Sequence, residues 1–126
     1  MLPICIKDTG KYGRGIFATR DIKKGELIEV SPVIVSHRNE WKYLKKTILN
    51  DYCFSWGEKY EHTALALGYG SIFNHSYSPN AYFIYNMENQ SIDFYTRLDI
   101  KMGEEITINY NEDADDTSSL WFDVLE

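Results

Sequence analysis

Residues 68–81 read Gly-Tyr-Gly-Ser-Ile-Phe-Asn-His-Ser-Tyr-Ser-Pro-Asn-Ala, a stretch dense in residues that set special backbone angles or hydrogen-bond through short side chains. Asn and Ser in such a run cap helices, make turns or hold the polar groups of a ligand. His75 by itself reads as a packed, hydrogen-bonded histidine or as an acid/base. A hydrolase would need a Ser or Cys nucleophile with an orienting acid, and nothing nearby supplies one.

Outward from this loop the chain reads as short strands broken by turns. Residues 2–7, 15–18, 26–36, 81–85, 91–96 and 105–110 are rich in β-branched or aromatic side chains and are bounded by Gly, Pro, Asn or Asp. Residues 86–90 have the composition of a hairpin turn. The spacing of Trp41, Leu44, Ile48 and Leu49 predicts one short helix over 40–49, with Asn39 as its N-cap. The expected class is mainly β, built of small sheets with little helix.

Two further segments stand out. Tyr12-Gly13-Arg14-Gly15-Ile16-Phe17-Ala18 carries a Gly-x-Gly that is either a plain turn or a place where backbone approaches a ligand closely. It lacks the third glycine and following helix of a dinucleotide fingerprint. Gly103-Glu104-Glu105-Ile106-Thr107-Ile108-Asn109-Tyr110 reads as a turn and a strand ending in tyrosine. Its beginning belongs to an internal echo: Asp21-Ile-Lys-Lys-Gly-Glu-Leu-Ile recurs as Asp99-Ile-Lys-Met-Gly-Glu-Glu-Ile. Gly25 and Gly103 are expected at positive φ. The echo is either shared turn chemistry or a matched pair of turns in a pseudo-symmetric β-clip. In both readings the glutamates after the glycines are solvated or bond within their own turn.

Composition narrows the function classes. The chain has 126 residues, 44% hydrophobic and 15% aromatic, enough for one domain with a real core. No apolar run approaches the roughly 20 residues of a membrane span, and no signal-peptide pattern opens the sequence, so an intracellular, non-secreted protein is expected. Cys5 and Cys53 read as reduced thiols, and the scattered histidines 37, 62 and 75 show no zinc spacing, so no metal is expected. A net charge of −6 disfavours direct nucleic-acid binding and suits a basic peptide or protein partner, or simply solubility.

Taken together, in this order, the three segments resemble the SET-domain family of protein lysine methyltransferases, in its compact viral and bacterial form. Residues 12–18 resemble its glycine-bearing first motif. Phe73-Asn74-His75-Ser76 with Pro79-Asn80 resembles its Asn-His-Ser-x-x-Pro-Asn signature, and residues 103–110 its Gly-Glu-Glu-Leu-x-x-x-Tyr signature. The resemblance covers residues 4–112 of a single domain, leaving 113–126 as a tail. It implies a SET-domain β-clip of small twisted sheets, with the C-terminal segment threaded under the Asn-His loop as a pseudoknot. It also implies methyl transfer from S-adenosylmethionine, leaving S-adenosylhomocysteine, to a lysine of a basic protein such as a histone tail.

By the same resemblance, Tyr12, Gly13, Arg14, Gly15, Asn74 and His75 hold the cofactor, the histidine through its backbone. Tyr110 stands at the transfer point, and Tyr52 lines the lysine channel beside it. Phe83 and Ile108 are expected to face the channel. Neither has a hydroxyl to hold a blocking water, which predicts di- or trimethylation. The family's cysteine-rich zinc cluster is missing, and Trp121 and Phe122 either cover the adenine or the channel mouth as a lid or pack the tail onto the body. A homodimer is expected if a minimal domain needs a second copy to complete its peptide groove. The competing reading is a catalytically silent β-clip module that binds a peptide.

Overall fold

The computed structural model describes residues 2–120 and 124, and among these the expected strands form with small shifts at their ends. They are β1 (Ile4–Asp8), β2 (Arg14–Ala18), β3 (Leu27–Ser36), β7 (Ala81–Asn86), β8 (Ser91–Thr96) and β9 (Glu105–Ile108). Three more were not anticipated: β4 (Cys53–Trp56), β5 (His62–Ala66) and the two-residue β6 (Asn74–His75). Strands β4 and β5 mix apolar residues with Ser, His and Thr, and β6 exists only through its parallel pairing with β9.

The expected helix is shorter. Residues 38–52 form a 3-10 turn at Arg38–Glu40, a single α turn α1 (Trp41–Leu44) and a second 3-10 turn at Ile48–Tyr52. None of the three buries a residue, and a helix without a packed face gains little beyond its own turns. The cap is His37, whose Nδ1 accepts the Asn39 amide at 3.2 Å, and Asn39 lies inside the turn.

Two sheets carry the fold, ordered β1-β2-β9-β6 and β4-β5-β3-β8-β7. The long strand β3 serves two partners. Its residues 27–32 pair with β8 and 33–36 with β5, and Pro32 sits at the handover, where a missing N–H does least harm to a ladder. Buried side chains from both sheets form one cluster. Ile16, Ile28, Ile92, Phe94, Ile106 and Ile108 are all at 0% exposure.

The repeated turns embrace each other. Ile22 and Ile100 exchange both backbone hydrogen bonds, at 2.7 and 2.8 Å. The Asp99 carboxylate accepts the Lys24 amide and the Asp21 carboxylate accepts the Met102 amide, each at 2.8 Å. Gly25 (φ +84°) donates to the Thr96 carbonyl, and Gly103 (φ +89°) donates to the Ala18 carbonyl. The strand entering one turn therefore pairs with the strand leaving the other: β2 with β9, and β8 with β3. Of the two readings of the echo, the pseudo-symmetric β-clip is the one that accounts for this exchange.

The clip sets β9 beside β2 on one side and, in parallel, β6 on the other. Asn80 laces the crossing: its Nδ2 donates to the Glu105 carbonyl at 2.8 Å, and its Oδ1 accepts the Thr107 amide at 2.9 Å. Ser76 donates to the Ile108 carbonyl at 2.9 Å. The C-terminal strand is thus tucked under the loop of residues 74–80, as expected for the threaded segment.

Candidate active site

Tyr110 follows β9 and stands where two cavities meet. One, about 310 Å³, is walled by Tyr12, Gly13, Arg14 and Asn74. The other, about 330 Å³, is aromatic, with Phe54, Tyr60, Phe73 and Tyr85 on its wall. Asp51, Tyr52, Ser71 and Tyr110 line both. The Tyr110 hydroxyl donates to the Phe73 carbonyl at 2.7 Å, and Phe73 is itself stacked on Phe94 in the core, centroids 4.5 Å apart. Burial, and to a smaller degree neighbouring Tyr52 and Glu105, pushes the Tyr110 phenol above its usual range, so it stays neutral. It is built to position, with its proton committed to a fixed carbonyl, and not to act as a phenolate base.

The first cavity is held by a carboxylate that the sequence reading had left to solvent or its own turn. Glu105 accepts the Tyr12 hydroxyl on one oxygen and the Asn74 amide on the other, the latter at 2.8 Å. The second Asn74 amide hydrogen goes to the Arg14 carbonyl at 2.8 Å. One ion thus ties together the glycine loop, the Asn-His segment and β9, far apart in sequence. Gly15 is what lets them close. A Cβ there would lie 2.5 Å from Glu105 Oε2 and 2.8 Å from Asn74 Nδ2. Gly13 does the converse job, since a Cβ built on it meets nothing within 4 Å and the cavity wall stays open.

His75 acts through its ring toward the protein. Its Nδ1 accepts the Tyr110 amide at 2.9 Å, fixing where the tyrosine leaves the strand. The imidazole is buried and is not on the wall of the cavity beside Asn74. A buried carboxylate behind the same loop escaped sequence reading too: Glu29 accepts the Tyr69 amide at 2.7 Å and the Ser31 hydroxyl at 3.2 Å, anchoring the approach to β6.

Two channel assignments need correction. Ile108 is fully buried in the core and pairs with His75, and Phe83 is buried against Phe54, Tyr85 and Phe94, so neither lines the aromatic cavity. Tyr85 takes the place given to Phe83. It lies two residues further along the same face of β7. Tyr60 and Tyr85 line the aromatic cavity instead, so Phe83 and Ile108 give no reading of the degree of methylation. Burial raises the Tyr85 phenol, with smaller contributions from Glu112 and Tyr60.

The tail returns toward the site as far as Ser118, whose carbonyl accepts Tyr77 Oη at 3.0 Å and Asn111 Nδ2 at 2.9 Å. Trp121 and Phe122, the candidate lid, lie outside the described residues. Cys5 and Cys53 are both free thiols, and burial pushes that of Cys53 up.

Comparison with known proteins agrees with this geometry. The sequence profile of the SET domain matches residues 13–111. A curated relative from Schizosaccharomyces pombe, "Histone-lysine N-methyltransferase, H3 lysine-37 specific", is 38% identical over 122 residues, covering 96% of this chain and 78% of its own length. Among solved structures, a candidate histone methyltransferase of Plasmodium falciparum superposes with a TM-score of 0.69 at 31% identity, over 87% of this chain and 94% of its own.

Proposed function

This chain belongs to the SET-domain family and is a protein-lysine N-methyltransferase, and we propose that its glycine-loop cavity holds S-adenosylmethionine while its aromatic cavity admits a lysine of a histone. The observation that carries the reading is the meeting of the two cavities at Tyr110 and Tyr52. In-line transfer needs two reactants brought to one point from opposite sides.

The residues of the first cavity suit the cofactor. Arg14 and Asp51 put opposite charges on its wall, as the zwitterionic amino-acid end requires, and the open face at Gly13 lets backbone approach. Asn74, fixed by Glu105, offers its remaining amide oxygen. When bound, S-adenosylmethionine supplies an electrophilic methyl carbon on a sulfonium.

The chain's own task is to present a neutral amine. A free lysine titrates near pH 10.4, so only about a thousandth is neutral at pH 7.4. Desolvation between Phe54, Tyr52 and Tyr110 disfavours the ammonium, and a neighbouring cation disfavours it further. A two-unit drop would bring the neutral fraction to roughly a tenth, for about 2.7 kcal/mol of differential interaction. The proton can then leave to water without a dedicated base. Tyr110, its own proton held by the Phe73 carbonyl, keeps an oxygen that accepts from the amine or from the polarised methyl group.

Incubation with labelled S-adenosylmethionine and core histones is expected to put label on a histone lysine. Tyr110→Phe should cut that transfer on the order of a hundredfold while changing cofactor affinity less than about tenfold. Equal turnover in the variant would remove Tyr110 from the mechanism. Absence of both cofactor binding and transfer in the wild type would favour the silent peptide-binding module. The S. pombe relative's name makes histone H3 the first substrate to try, and a histone substrate would place the enzyme with chromatin.

A further inference from the structure

The aromatic cavity carries two acidic side chains, Asp51 and Glu112. A carboxylate beside an amine stabilises its protonated form, which the transfer chemistry does not want. Asp51 sits at the border with the cofactor cavity, where an ionic partner on the cofactor gives it a use. Glu112 does not reach that cavity and needs another explanation.

Its backbone is unusual. Among the described residues only Tyr60, Gln90 and Glu112 combine a side chain with positive φ, at 55°, 50° and 76°. Gln90 ends the β7–β8 hairpin turn, where such angles are ordinary. The other two come from separate parts of the chain and meet: the Tyr60 hydroxyl donates to Glu112 Oε1 at 3.3 Å. Side chains avoid this region unless their surroundings hold them there, and such residues gather at functional sites. Tyr60 is held on its other side by the ring of Tyr85, centroids 6.2 Å apart. A hydroxyl normally closes to about 2.5–2.7 Å on a carboxylate. At 3.3 Å the contact is loose and exchanges at little cost.

We propose that Glu112 is the receptor for the ammonium of the incoming lysine at the mouth of the aromatic cavity, with the Tyr60 hydroxyl occupying the carboxylate until the lysine displaces it. The assignment rests on the aromatic cavity being the lysine channel. Capture and chemistry then occupy different depths. The charged amine is received at Glu112, moves inward to Tyr52 and Tyr110, and loses its proton to water there. The other titratable groups on this wall are Asp51, the Cys53 thiol and the phenols of Tyr52, Tyr85 and Tyr110. The charge of Glu112 is felt at both Tyr60 and Tyr85, whose phenols it raises, so its field spans the mouth.

Two isosteric variants test this, with core histones as substrate. Glu112→Gln removes the charge, and KM for histone is expected to rise about tenfold. The rising limb of kcat against pH moves to lower pH, because an amine without the anion deprotonates more readily. Tyr60→Phe frees the carboxylate, and KM is expected to fall by about two- to threefold. Glu112→Gln keeps an oxygen that accepts the Tyr60 hydroxyl, so a merely structural link would be cut only by Tyr60→Phe, which would then raise KM, the opposite of the fall expected here. Shifts of the same sign, or no KM change in Glu112→Gln, overturn the assignment while wild-type transfer still upholds the enzyme reading. A wild type that labels no histone removes the reading and this inference together.

Discussion

The two turns of the clip are near copies in sequence and hydrogen bonding, yet only one of them reaches the active site. Position by position, Asp21 matches Asp99, Ile22 matches Ile100, Gly25 matches Gly103 and Ile28 matches Ile106, and the bonds they make correspond as well. Apart from the exposed pair Lys24 and Met102, the match fails one residue before the buried isoleucine. There the first turn has Leu27, 46% exposed, and the second has Glu105, which ties Tyr12 to Asn74. The repeated part is scaffold, and the candidate site is tied together from a position where the repeat is broken.

The comparison predicts its largest effects where the copies agree. Ile28 and Ile106 are both at 0% exposure in the shared cluster. Each Ile→Ala change removes three carbons from a packed site and should cost about 3 kcal/mol, read from urea unfolding. A difference between the two above about 1 kcal/mol would show that the halves are not mechanically equivalent.

Where the copies differ, the effect moves from stability to ligand binding. Glu105→Gln keeps the shape but replaces the ion that accepts from both Tyr12 and Asn74. Charge-assisted hydrogen bonds contribute about 1.5–3 kcal/mol. Losing part of that order at the cavity wall should raise the dissociation constant for S-adenosylmethionine on the order of tenfold by calorimetric titration. The matching change, Leu27→Gln, should leave that affinity unchanged. Equal affinities in both variants would strip the asymmetry of functional meaning.

The same contrast shows what could be read without coordinates. Turn glycines and strand alternation are local signals, and they placed six strands; the clip was one of two readings of the echo, and the roles around Asn74 and Tyr110 came from the family resemblance. Strand β6 and the paired polar groups around it depend on partners up to 93 residues apart, as Tyr12 and Glu105 are, and no local period reports such a pairing. Glu105 is a charged residue next to a buried isoleucine on a strand, which by pattern is a solvent-facing position. Its partner could be found only once β2, β6 and β9 had been laid side by side. For Phe83 and Tyr85, which share a face of β7, strand alternation identifies the face but not the depth along it.

The smallest effect belongs to the first glutamate of each turn, where the copies differ only in an ion pair. Glu26 bonds Arg20 at 2.5 Å, and the guanidinium, chiefly by that hydrogen bond, holds the carboxyl below its usual range. Glu104 instead accepts the Lys101 amide at 2.7 Å, and among the described residues no cation pairs with it. A carboxyl lowered in the folded state contributes stability above its unfolded value of about 4.3 and loses that contribution as pH falls through its folded value. Both partners of the pair are well exposed, so the contribution is small. Glu26→Gln should therefore lower the unfolding midpoint by no more than about 2 °C at pH 7, with the gap closing as pH falls through the lowered folded value and in about 1 M salt. Glu104→Gln keeps an oxygen for the Lys101 amide, and its midpoint should not respond to salt in this way. A salt-sensitive loss of the same size at both positions would mean that the electrostatics of the clip, like its backbone, is symmetric.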